Sequence, residues 1–161
     1  MNQHMKTLTH ILIAILVLAA TPAKAQEGLQ IARLFEKYGT RDSVTMVEMN
    51  GSILRSYDMT MYRSLTFKNV KPYLAEIQQS LQQAVTSHQT AKRQEVVENG
   101  QLISAYYQLS SVKRKGRKTR RYILFKQGQQ NTATLIYIEG PLTENELMEK
   151  LYGHSRKRTY E

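Results

Sequence analysis

Cysteine is absent from the 161 residues of this chain. That excludes a disulfide framework, a thiolate metal site and a cysteine nucleophile together, so packing alone must hold the fold. It also excludes a bacterial lipoprotein anchor, whose lipid is carried on a cysteine just after the leader. Tryptophan, a common platform for sugar rings, is missing too. Histidine is scarce: His4 and His10 fall in the N-terminal leader, which leaves His88 and His154. Neither has a carboxylate or a second histidine at helical ligand spacing, and no His-Glu-x-x-His run exists. Asp42 and Asp58 are the only aspartates. Glu95 and Glu98 straddle the two faces of a strand, while Glu144, Glu146 and Glu149 sit early in a helix, where its dipole and cap account for them. No Gly-x-Ser-x-Gly elbow and no phosphate loop is present. No metal and no other cofactor is implied. An enzyme built from this chain would be a small hydrolase pairing carboxylates that are dispersed in the sequence.

What is present begins with the first 26 residues. Met1–Lys6 is a short basic start, and Leu8–Ala20 is an apolar run interrupted by Thr9 and His10. Thr21-Pro22 follows, and then Ala23-Lys24-Ala25, with small residues at the two positions a signal peptidase reads. This is the layout of a secretory signal peptide over residues 1–25, cut after Ala25. The run is shorter than the ~20 apolar residues of a comfortable membrane span, and Pro22 would break a longer helix. The competing reading is an uncleaved N-terminal anchor. On the first reading the mature chain starts at Gln26, has no transmembrane segment and is released, most simply into a periplasm.

Residues 26–153 are long enough for one domain with a real core and too short for two. Leu29–Tyr38 carries apolar residues at helical spacing, with Gly39 placed to end it in a left-handed cap. Val44–Met49 reads as a strand and Asn50-Gly51 as a tight turn. Ile53–Val70 keeps neither period for long, with at least one strand around Ser64–Phe67. Lys71–Thr86 is a clear helix with Pro72 in its first turn. Its glutamines Gln78, Gln79, Gln82 and Gln83 read as a solvated face. The period then changes to two. Arg93–Glu98, Leu102–Val112, Arg121–Lys126 and Thr132–Ile138 read as strands separated by turn signals. The second of these alternates as if one side were wet, and the last is apolar on both faces, which suits a central position. A final helix opens on Thr143 and Glu146, the two halves of a capping box, with Leu142 and Leu147 as its hydrophobic staple. Gly153 is expected to end it, and residues 154–161 read as a disordered charged tail. The expected class is α+β, a mainly antiparallel sheet with helices packed on one face.

Charge is concentrated. The chain holds 23 Lys and Arg against 13 Asp and Glu. Lys113, Arg114, Lys115, Arg117, Lys118, Arg120 and Arg121 fall within nine residues, and Arg156, Lys157 and Arg158 form a second cluster. Outside these and the leader the chain is close to neutral, so basicity belongs to two places. Pairing Leu102–Val112 with Arg121–Lys126 puts Gly116 near a hairpin tip ringed by the seven cations. Such a tip attracts anionic lipid headgroups, lipopolysaccharide phosphates, acidic glycans or peptidoglycan carboxylates. It lacks the interleaved aromatics of a single-strand nucleic-acid binder, so no specific nucleic acid is implied. Another envelope protein is a further partner, and a merely solvated tip that blocks edge-to-edge aggregation is the bland reading. Tyr106, Tyr107 and Tyr137 could line a groove, but Tyr106 and Tyr107 point to opposite faces, and half-buried packing suits tyrosine in strands.

Three stretches carry a resemblance: Leu34-Phe35-Glu36-Lys37-Tyr38, then Val44-Thr45-Met46-Val47, then Leu135-Ile136-Tyr137-Ile138-Glu139-Gly140-Pro141-Leu142 before the final helix. They resemble small secreted domain-of-unknown-function proteins of the Bacteroidetes, often lipoproteins. That resemblance implies an α+β envelope protein and brings no catalytic residues. Within the same group Asp42-Ser43-Val44 looks like a short O-glycosylation acceptor, and Asn50-Gly51-Ser52 fits the N-linked pattern. The function expected from all this is an exported, non-enzymatic binding or envelope-associated module. A polyanion-binding protein using the basic hairpin is its first alternative and the small hydrolase its second.

Overall fold

The structure, a computed structural model, describes residues 29–156. The expected signal peptide and residues 157–161 lie outside them. Helix α1 (Gln30–Tyr38) leads into β1 (Val44–Glu48), a short helix α2 (Gly51–Ser56) and β2 (Met61–Phe67). A 3-10 turn (Lys71–Tyr73) opens α3 (Leu74–Ser87). Four strands follow, β3 (Thr90–Glu98), β4 (Gln101–Arg114), β5 (Arg117–Gln127) and β6 (Ala133–Gly140), and α4 (Glu144–Arg156) closes the described chain.

All six strands form one antiparallel sheet in the order β1-β2-β6-β5-β4-β3. The four-strand meander expected from the period-two region is therefore present. Its last strand is central, flanked by β2 and β5. Thr132–Ile138 had to be apolar on both sides for that reason.

One face of the sheet, with α1 and α3 on it, forms the main core. Leu65, Phe67, Tyr107, Leu109, Ile123, Phe125 and Leu135 meet Ile31, Leu34, Phe35, Ile77 and Leu81 there, all of them buried. Burying aliphatic and aromatic side chains of this size contributes roughly 1.5–3 kcal/mol each. The expectation of helices on one face is corrected by the other side. There Tyr106, Tyr122, Leu124 and Ile138 pack with Leu142 and Leu147, and with Leu54, Met148 and Leu151 at the margin. Helix α4 covers this second face, so the side read as wet is apolar at its middle. Tyr106 and Tyr107 separate as the pleat requires, one into each cluster.

Three local expectations also change. Gly39 has an ordinary right-handed backbone, φ −61°. It is small because a Cβ there would collide with Met46 Sδ and lie 2.6 Å from Phe35 O. Asn50-Gly51 does not make a two-residue hairpin: Gly51, at φ +59°, opens α2, which joins β1 to β2. Helix α4 runs through Gly153 to Arg156. Its N-terminus is as expected. Thr143 N–H donates to Glu146 Oε2 at 2.7 Å, Glu146 N–H donates to Thr143 Oγ1 at 3.4 Å, and the staple residues Leu142 and Leu147 are buried.

Candidate functional site

The basic hairpin and an open groove on the second sheet face are the two surfaces with features beyond packing. The hairpin forms as its turn residues suggest. Arg114 faces Arg117 across a two-residue loop, and Lys115 and Gly116 both take positive φ, 49° and 76°. This is the mirror-image turn whose twist matches that of the flanking strands.

The seven cations divide into two groups. Arg121 is buried, and its guanidinium donates twice to Ser110 O, at 3.1 and 2.9 Å, and to Ser110 Oγ at 3.2 Å. The register of β4 against β5 shifts between Leu109 and Val112, leaving Ser110 in a bulge. Arg121 satisfies the carbonyl that the bulge takes out of the ladder. Arg114 reaches over the main-core face to Glu139, with Nε 2.8 Å from Oε2 and Nη2 3.0 Å from Oε1. The Glu139 side chain is 3% exposed and also accepts from Tyr137 Oη. Arg120 donates to Pro141 O. These three arginines hold the hairpin to the body. The other four, Lys113, Lys115, Arg117 and Lys118, are exposed. The tip is thus four charges strong, and the run in the sequence did not reveal which positions the sheet would claim.

Of the three tyrosines that could line a groove, Tyr106 does and Tyr107 and Tyr137 pack in the main core. The groove lies between α4 and the strand ends β3–β6 and encloses about 990 Å³. Strand register sets its floor in two rows. Tyr106, Leu124 and Ile136 stand side by side on β4, β5 and β6 as an apolar row. Two residues along each strand, Ser104, Lys126 and Thr134 form a polar row on the same face. Met148 and Tyr152 of α4 and Val96 of β3 complete the walls, with Tyr152 57% and Val96 49% exposed. Lys126 makes no hydrogen bond or ion pair with a described residue. The signal in the sequence was the alternation of β4 and β5, where Tyr106 and Leu124 give way to Ser104 and Lys126, but the pairing of rows needs the register.

Acid chemistry does not converge in the groove. Glu95 borders it, but pairs with Ala105 and turns its carboxylate to the main-core face beside Tyr107. It accepts from Arg93 Nη2 at 2.8 Å and from Tyr107 Oη. Burial pushes its carboxyl up, but those hydrogen bonds outweigh burial and hold it below the usual range. The Tyr106 hydroxyl is buried and has no hydrogen-bond partner among the described residues. Burial, with Glu144 nearby, pushes its ionisation far up, so the phenol stays neutral. Among the described residues no group of three or more His, Asp or Glu could hold a metal ion, and no helix is long and apolar enough to cross a membrane.

The molecule is thus an α+β protein whose antiparallel sheet is closed by helices on one face and left half open on the other. It belongs to the family of unknown function DUF6108, which residues 18–151 match. No curated protein matches it. Among solved structures it is similar to PA94, a protein of unknown function from Pseudomonas aeruginosa. The two share 12% identity with a TM-score of 0.34, over 74% of this chain and 82% of that one.

Proposed function

We propose that this is an exported, non-enzymatic binding module of the cell envelope whose binding surface is the groove beside α4. The observation that carries the reading is the concave surface beside α4, where Ile136 and Met148 are half-buried and Val96 and Tyr152 are exposed around the buried Tyr106 and Leu124. Concave, mainly apolar sites with a few placed polar groups are the usual form of a small-molecule site. Among the described residues Glu95 is the one acid bordering the groove, and its carboxylate is held by Arg93 and Tyr107 on the opposite face, which favours binding over carboxylate-pair hydrolysis. Export rests on the leader pattern of residues 1–25 and the resemblance to secreted Bacteroidetes proteins. Mass spectrometry of protein recovered from the native envelope fraction should find a chain beginning at Gln26. An intact Met1 on a membrane-embedded protein would overturn export.

A second reading, polyanion binding at the hairpin, is favoured by a different observation. Lys113, Lys115, Arg117 and Lys118 are exposed at one end of the sheet with no acidic partner among the described residues. Anionic lipid headgroups and acidic glycans are the partners that such a tip would meet in the envelope.

A further inference from the structure

We infer that the groove takes a single-chain anionic amphiphile, with its head at Lys126 and its alkyl tail along Ile136, Met148 and Tyr152. This rests on the groove being the binding surface and adds the chemistry of its occupant. The two rows set the order of the parts. Neighbouring strands stand about 4.8 Å apart and same-face residues of a strand about 7 Å apart. The polar row Ser104, Lys126 and Thr134 therefore spans about 10 Å and lies one such step from the apolar row.

An ammonium flanked by two hydroxyls offers donors to an oxyanion, and donors alone suit an acceptor-only head such as a carboxylate. The charge at the groove supports this. Arg93 and Glu95 pair with each other on the opposite face of β3, beside Tyr107, so Lys126 is the cation that faces the groove, and it has no partner among the described residues. The apolar row has little to offer a polar molecule, and Met148 and Tyr152 supply a mobile thioether and an aromatic edge against which a chain can lie. A neutral or cationic ligand would leave Lys126 unmatched beside it, and a fully polar ligand would leave Ile136, Met148 and Tyr152 uncovered.

Titration of dansyl-labelled undecanoic acid into protein purified from its own cells tests the assignment by fluorescence. The expected result is a saturable rise that palmitate reverses and its methyl ester does not. Lys126→Glu should weaken binding about tenfold, the scale of losing one partly exposed ion pair and facing a like charge. Ser104→Trp should fill the groove and abolish the signal with an unchanged melting curve. Should that variant not fold, Thr134→Trp blocks the same row from the neighbouring strand. If the methyl ester competes equally and Lys126→Glu binds normally, the anionic head is wrong while the groove reading stands. If saturable binding survives both tryptophan variants, the groove itself is not the site and both fail. If no ligand binds and sedimentation shows a dimer that Ser104→Trp dissociates, a second copy covers the groove and the proposal is overturned.

Discussion

Tyr106 and Tyr107 are neighbours in β4 and end in opposite surroundings. Tyr107 is fully enclosed by the main core, and its hydroxyl is bound to Glu95. Tyr106 is nearly as buried, at 7% exposed, yet its hydroxyl has no partner among the described residues and its ring lines an open groove. On the main-core face the helices cover the apolar row and polar ends find partners. On the second face α4 covers the apolar row, while the margin keeps Val96 and Tyr152 exposed and Lys126 without a partner among the described residues. The contrast teaches that burial alone does not distinguish structure from function here. Satisfaction of polar groups does.

The sharpest way to break that comparison is to cut into each face in turn. Phe125→Ala, in the main core, should destabilise by about 3–5 kcal/mol, whereas exposed Val96→Ala should stay within about 0.5 kcal/mol. Urea unfolding of both variants would read the difference. Equal losses would mean that the groove wall is as much core as the closed face.

Within the basic hairpin the same contrast is expected between bound and free cations. Arg114→Gln strands Glu139 in the interior and should cost about 2–3 kcal/mol, below the fully buried case because Arg114 is itself 32% exposed. Lys118→Gln should shift the melting temperature hardly at all. Changing Lys113, Lys115, Arg117 and Lys118 together to glutamine should abolish retention on anionic vesicles at low salt and leave folding intact. Wild-type retention should fade as salt shortens screening to ~8 Å. Retention that survives the four changes would make the tip solvated surface only.

The tyrosine pair gives a smaller effect of telling sign. Tyr107→Phe removes a hydroxyl that donates to a carboxylate and should cost about 1.5 kcal/mol. Tyr106→Phe removes a buried hydroxyl with no partner among the described residues, so it should be neutral or raise stability by about 1 kcal/mol. Thermal denaturation of the two variants decides whether the faces differ as described.

The smallest expected signal is at alkaline pH. Tyr106, Tyr107, Tyr122 and Tyr137 all have ionisation raised above the ordinary 10.0, chiefly by burial. A folded pKa above the unfolded one means that this stability is whole below pH 10 and is lost as pH rises beyond it. Phenolate absorbance of these four should therefore appear together with unfolding. Early, independent titration of Tyr106 would show that the groove admits water to its hydroxyl.

Much of the fold was legible because its signals are local. The capping box at Thr143 and Glu146, the Lys115-Gly116 turn and the period-two strands each depend on residues a few positions apart. The places that misled depend on distant ones. Asn50-Gly51 looks like a tight hairpin turn, but β1 and β2 pair across the helix α2 that Gly51 opens, and Gly39 reads as a cap until Met46 is seen against it. Of the candidate site, the run of seven cations was visible, but the roles of Arg114, Arg120 and Arg121 were set by Glu139, Pro141 and the bulge at Ser110. The groove needed still more. Its rows come from three strands, and nothing in the linear order aligns Ser104, Lys126 and Thr134.

The place of β6 between β2 and β5 also imposes an order in time. Strands β3 to β6 form a chain of neighbours, each able to pair soon after the one before it. β2 can pair with β1 at once, but its other partner, β6, lies about seventy residues downstream, and closing so long a loop delays that contact until entropy has been overcome. Until β6 is made, β1, β2 and α1 have no finished surface to dock on. A chain growing from its N-terminus therefore joins its first two strands to the rest of the sheet only after most of it has been made.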